Sequence, residues 1–277
     1  MLLINGGENK DLWRWDGTAW TIVPNETGPG SRMLGGAAYD TGRQTLIVYG
    51  GLLGGASSCP PDTWEWDGEN WVRTGVPPPE ACDHFLLAYD AARKNTVLFG
   101  GQDGGQNPTP GTWLWDGTRW ERHEGPAPEH RYHYALAYDA ARELVLLYGG
   151  TNDSGVLDDF WAWDGDAWKQ IDADTPPARA RARMAYDAAR GAVLLFGGDS
   201  PLGKLNETWV WDGTEWLEIE TATAPPPRTI HALAYDPVRE KVVLFGGSGE
   251  NRALLNDLWE WDGITWLEVK AVHWMPD

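Results

Sequence analysis

The chain has 277 residues, of which 41 are acidic and 22 basic, for a formal charge of −19. A surface this acidic repels nucleic acid and anionic membranes, and no apolar run is long enough to cross a bilayer as a helix. Two cysteines, Cys59 and Cys82, are too few for a disulfide framework or a structural zinc site.

Tryptophan organises the sequence. Eighteen of its nineteen tryptophans fall in one motif, Trp-x-Trp-Asp-Gly-x-x-Trp. The copies start at Trp13, Trp64, Trp113, Trp161, Trp209 and Trp259, at spacings of 48 to 51 residues. Such a period signals a repeat fold, here six repeats over about 1–30, 31–80, 81–129, 130–178, 179–227 and 228–277.

In chain order, the first repeat opens directly on an apolar strand, Leu2-Leu3-Ile4, then Gly6-Gly7 and the first tryptophan motif. The second adds a preceding strand that ends in Tyr39-Asp40. Arg43 follows, then an apolar run to Tyr49, Gly50-Gly51, and a loop from Leu52 to Thr63. The third to sixth repeats keep this plan, with Tyr89, Tyr138, Tyr186 and Tyr235 in Tyr-Asp and Arg93, Arg142, Arg190 and Arg239 after it. A full repeat therefore reads as four antiparallel strands. Asp-x-x-Arg makes a tight turn after the first, because aspartate caps turns through its own side chain. The second, such as Val193-Leu194-Leu195-Phe196, is apolar throughout and suits burial on both faces. Gly-Gly then permits backbone angles or a close approach that a Cβ would forbid. The third carries two tryptophans on one face, Asp-Gly reverses the chain, and the fourth alternates, as in Trp216-Leu217-Glu218-Ile219-Glu220.

A lone sheet of this kind leaves apolar faces bare. Stacking six around an axis covers both faces of each, so the expected fold is an all-β, six-bladed β-propeller in one domain. The apolar run, the Gly-Gly pair and the spaced aromatic residues resemble the kelch repeat over nearly the whole chain. That resemblance implies that the Tyr-Asp strand is innermost. The first repeat lacks that strand. From the last tryptophan of a motif to the next Tyr-Asp takes 18 or 19 residues, but only 11 separate Trp266 from Asp277. Blade one is expected to lack its inner strand, to complete it poorly with 271–277, or to come from a trimmed chain. Its bare edge offers a route to self-association.

The expected working face carries the loops after Gly-Gly and the entries to the Tyr-Asp strands, because its loops vary while the opposite face repeats Asp-x-x-Arg and Asp-Gly. At the strand entries stand Arg32, Arg131, Arg179 and Arg228, with Cys82 in the third repeat. Nearby lie His84, His133, Arg181, Arg183 and His231. These residues are the candidate ligand-binding set, a cationic ring at the channel mouth. The kelch resemblance implies that arginines there can contact acidic peptides. The competing reading is that each arginine binds loop carbonyls and holds repeats together. The histidines lack ligand spacing, so no metal or cofactor is implied. Cys59 and Cys82 share this face on adjacent repeats, and a disulfide between them is feasible.

The expected function is a non-catalytic binding scaffold for a protein, an acidic peptide or a small anionic ligand. The alternatives are a structural repeat scaffold, recently amplified or engineered, and a propeller enzyme, which fold analogy alone suggests. A high Arg-to-Lys ratio and abundant alanine point to a GC-rich bacterial source.

Overall fold

In the computed structural model, which describes residues 2–4 (backbone only), 12–23, 28–53, 59–75 and 79–270, each apolar run lies inside an antiparallel sheet. Thr45–Tyr49 is paired on one side with Gly36–Asp40 and on the other with Thr63–Trp66, and Trp71–Arg73 closes the outer edge. The same four-strand order recurs in the third to sixth repeats. Adjacent Tyr-Asp strands lie against one another, Ala135–Asp139 against Arg183–Asp187 and the latter against Ala232–Asp236. They form the inner edge of a β-propeller fold built of antiparallel four-stranded blades.

Five sheets have four strands. The first repeat gives a three-stranded sheet, Leu2–Ile4, Leu12–Trp15 and Trp20–Val23, in which no described strand pairs with the Leu2–Ile4 edge. Residues 271–277, with Trp274, lie outside the described residues, so an inner strand supplied by them is not addressed. The described residues form two compact units that meet in sequence between Tyr132 and His133. The first unit holds the sheets of repeats one to three and the second those of repeats four to six.

Burial falls from the second strand outward. Val97, Leu98 and Phe99 are fully buried, whereas the fourth strand Trp120–His123 buries only its leading indole well. In all six motifs the second and third tryptophans are cross-strand partners with ring centroids 5.2 to 5.7 Å apart. All twelve are buried. The leading tryptophan is half-buried except at Trp13. Indoles also tie neighbouring repeats: Trp120 Nε1 donates to Thr63 Oγ1 at 2.8 Å and Trp266 Nε1 to Thr208 Oγ1 at 2.9 Å. Trp266 packs edge-on against Phe196 of the preceding repeat, centroids 5.1 Å apart.

The reversal between paired tryptophans takes four residues. Its aspartate Oδ1 accepts backbone N–H groups two and three residues on, at 2.7 to 3.0 Å in all six copies. The glycine that follows has φ between 93° and 106°, a region that strains any residue with a Cβ. The bonds from Ala19 and Thr18 hold the Asp16 carboxyl down to about 2, and equivalent bonds lower Asp67, Asp212 and Asp262.

Two outcomes follow from this packing. Trp266→Ala is expected to cost about 3–5 kcal/mol, read by urea unfolding, because the neighbouring repeat cannot collapse into the space. The turn carboxylates have folded pKa values below their unfolded ones, so their contribution is complete above about pH 4 and is lost as pH falls through the depressed values. Thermal midpoints measured from pH 5 down to pH 2 should drop steadily, and a flat profile would contradict the turn assignment.

Candidate functional site

The strand entries share an unusual backbone. Leu34, His84, His133, Arg181 and Ile230 occupy one repeat position and have φ of 62°, 59°, 60°, 58° and 55°. The left-handed region costs a residue with a Cβ roughly 1–2 kcal/mol, and a β-branched isoleucine is a clear outlier there. Before the kink the chain pairs with residues beyond Gly-Gly, as Arg32–Met33 does with Leu52–Leu53, and Ala180 with Asp199. After it, the chain pairs with the apolar run. The kinked residues also link repeats through the backbone. His84 N donates to Leu34 O at 3.0 Å, Arg181 N to His133 O at 2.7 Å, and Ile230 N to Arg181 O at 3.2 Å. Their side chains stay partly exposed, with Ile230 the most open.

Two residues before four of the five kinks stand arginines. Arg32 donates to both Asp62 oxygens at 2.5 and 3.1 Å and to Gly50 O at 2.9 Å. Arg179 donates to Glu207 Oε2 at 2.6 Å, and Arg228 to both Asp257 oxygens at 2.7 and 2.6 Å. Their guanidinium groups are sealed, with side-chain exposures of 5%, 0% and 0%. Arg131 is buried as well, with Nε on Glu129 O at 3.1 Å. An accessible ring built from Arg32, Arg179 and Arg228 is therefore corrected: each guanidinium is neutralised inside the protein by an acid of its own repeat.

The sequence reading missed the acids. Each stands two residues before the leading tryptophan and also accepts its indole: Trp64 Nε1 to Asp62 at 2.9 Å, Trp209 Nε1 to Glu207 at 3.0 Å, Trp259 Nε1 to Asp257 at 2.7 Å. The third repeat shows the coupling. It has Cys82 in place of the arginine and Gly111 in place of the acid, so both partners change together. Cys82 is bonded to Cys59 instead, with Cα atoms 5.7 Å apart. The Asp83 carboxylate lies within 4.8 Å of both sulfurs.

The other predicted residues remain nearer the surface. Half-exposed Arg181 pairs with Asp199 at 2.9 Å. His84 Nδ1 lies 2.8 Å from Asp83 Oδ1, and His133 is half-buried. Arg183 is half-buried, and its one described side-chain hydrogen bond goes to Ala182 O at 3.1 Å. Burial lowers its pKa to about 10, so it stays charged at neutral pH. His231 is 2% exposed. Burial, and then the positive field of Arg183 and Arg228, keep it well below the usual histidine range and hence neutral.

On the opposite face, turn arginines reach into the following repeat. Arg142 reaches Gly191 O at 3.1 Å and also Asp212 O, and Arg190 reaches Glu240 O at 2.8 Å and also Asp262 O. Tyr89 hydrogen-bonds Asp40 across repeats. Arg43, Arg93, Arg142, Arg190 and Arg239 each pair with the aspartate of their own turn. No protein-family model matches this chain, and no curated protein matches it in sequence.

Removing a sealed arginine should differ sharply from removing an open one. Arg228→Ala strands Asp257 half-buried without its cation and is expected to cost about 3–5 kcal/mol. Arg181→Ala breaks a solvent-screened pair and should cost about 1 kcal/mol or less. Denaturant unfolding of the two variants checks this, and equal losses would contradict it.

Proposed function

We propose that the chain is a six-bladed, kelch-type propeller whose first repeat supplies a three-stranded blade, and that it is a non-catalytic binding scaffold. Its working face carries the strand entries and the loops after Gly-Gly, and its ligand is a protein or peptide segment of acidic character. One observation carries this reading. A single strained backbone position is kept in five repeats, yet its side chains are Leu34, His84, His133, Arg181 and Ile230. Positions that serve packing keep their residue type from repeat to repeat, as the paired tryptophans do. A position that keeps its geometry and varies its chemistry fits a surface that reads something else. Two histidines and an arginine among the five favour an anionic partner on an otherwise acidic protein.

A panel of short acidic peptides, followed by fluorescence polarisation, tests the proposal. Arg181→Ala and His133→Ala should weaken the best binder about tenfold or more, equivalent to about 1.4 kcal/mol. Val238→Asp, on the Asp-x-x-Arg face and 89% exposed, should leave affinity unchanged. Absence of any binder, or equal weakening by the Val238 variant, would overturn the assignment.

A further inference from the structure

The third repeat departs from the others at the entry to its inner strand. Four repeats place Arg32-Met33-Leu34, Arg131-Tyr132-His133, Arg179-Ala180-Arg181 and Arg228-Thr229-Ile230 there, and the third places Cys82-Asp83-His84. Three consecutive residues of metal-ligating type stand in this repeat alone. Cys59 meets them from the loop of the second repeat, its Cα 5.7 Å from that of Cys82. Both sulfurs and an Asp83 carboxylate oxygen lie within 4.8 Å of one another, and among the described residues no other group of three such donors does. His84 Nδ1 stands 2.8 Å from Asp83 Oδ1 and so braces the carboxylate. Cys82 and Asp83 are buried, whereas Cys59 is partly exposed, which gives the cluster a route to solvent.

A disulfide has no use for a carboxylate beside it. Cystine sulfurs are neutral, and among the described residues no lysine or arginine pairs with Asp83, whose side chain is 10% exposed. A desolvated carboxylate without a cation is unfavourable, and a dication beside it reverses the balance. Reduction adds two thiols that can ionise. Thiolate with carboxylate and imidazole is donor chemistry for zinc, whereas calcium and magnesium take oxygen ligands. Zinc–sulfur bonds of about 2.3 Å and zinc–oxygen bonds of about 2.0–2.2 Å put tetrahedral donors roughly 3.5–3.8 Å apart. The cluster already lies within reach of that spacing, and the two cysteine side chains need only rotate apart about their χ1 angles. Two cysteines alone cannot complete a structural zinc site. With one aspartate they fill three positions and leave the fourth to water.

We infer that Cys59, Cys82 and Asp83, with His84 steadying the carboxylate, form a redox-gated zinc site that joins the second and third repeats. The inference stands apart from the binding reading above. A dithiol reductant opens the cystine to two thiols and is itself oxidised to a disulfide. Zinc then displaces the two thiol protons to solvent and forms two bonds to sulfur and one to an Asp83 oxygen. Oxidation by a disulfide takes two electrons from the thiolates, restores the sulfur–sulfur bond and releases the metal. Either link clamps the strand entry where the other repeats rely on arginine.

Zinc titration of the full chain against a chromophoric zinc indicator, before and after reduction, tests the site. The reduced chain should bind one zinc ion more per chain than the oxidised chain does. Cobalt in place of zinc should give the near-ultraviolet thiolate-to-metal absorption and the visible bands of a tetrahedral centre. Zinc should also raise the thermal midpoint of the reduced chain, since it binds the folded form. Cys59→Ser and Cys82→Ser should each abolish the thiolate absorption. Asp83→Asn should weaken zinc binding about tenfold or more, and His84→Ala about tenfold, as expected for a group that orients a ligand. Both of these variants should still form the disulfide, read as two thiols per chain after reduction and none before. The inference is overturned if reduction adds no zinc ion, if zinc leaves the midpoint of the reduced chain unchanged, or if Asp83→Asn binds zinc as the unaltered chain does.

Discussion

Adjacent sheets meet where a peptide carbonyl presses on a glycine. A Cβ built on Gly50 would lie 2.6 Å from Cys82 O, and one on Gly149 or Gly197 would lie 2.7 or 2.8 Å from Arg179 O or Arg228 O. No larger residue fits, and φ near 60° at each of these glycines adds a conformational reason. The following glycine uses the proximity: Gly51 N donates to Cys82 O at 2.8 Å, Gly150 N to Arg179 O at 3.0 Å, and Gly198 N to Arg228 O at 2.9 Å. This contact sets how near one sheet stands to the next. The indole stacking and the tryptophan-to-threonine hydrogen bonds across repeats depend on that spacing, since side chains pack only at fixed separations.

The residue whose carbonyl makes the contact acts on both sides of it. Arg179 accepts Gly150 N through its backbone, and its side chain reaches Gly197 O at 3.4 Å and Glu207 within its own repeat. A buried guanidinium is stable there because carbonyls and a carboxylate satisfy it together. The third repeat shows which half of this arrangement is indispensable. Cys82 keeps the carbonyl contact with Gly51, abandons the ion pair, and is fastened to Cys59 by a covalent bond. The backbone role is constant, and the side-chain role is replaceable by any link of comparable strength.

The strands, the paired indoles and the need for Gly-Gly were legible because each rests on a local pattern that repeats. The arginines were legible as basic residues, but their burial was not. The acids that neutralise them, Asp62, Glu207 and Asp257, sit at the end of loops of unequal length, so only counting back from Trp64, Trp209 and Trp259 reveals them. The left-handed kink was barely legible for a different reason. Leu34, Arg181 and Ile230 carry no turn signature, and positive φ announces itself in sequence through glycine and, less strongly, asparagine, aspartate and histidine, so only His84 and His133 hinted at it. The kink is imposed by pairing on either side, a tertiary cause that overrides residue preference.

Isolation of a charge is tertiary in the same sense. Nothing in Arg-Ala-Arg-Ala-Arg distinguishes Arg183 from Arg179 and Arg181, yet one is sealed on Glu207, one is paired at the surface with Asp199, and one lacks a described acid. Side chains of a strand alternate between faces, but the kink at Arg181 interrupts that alternation. It separates the segment paired with the loop beyond Gly-Gly from the segment paired with the apolar run. Arg183 is thus the first residue of the inner strand proper, where the neighbouring repeats place alanine. A repeat protein distributes stability over many equivalent contacts, so one cation without a described acid is tolerable in a way it would not be in a small single-layer domain.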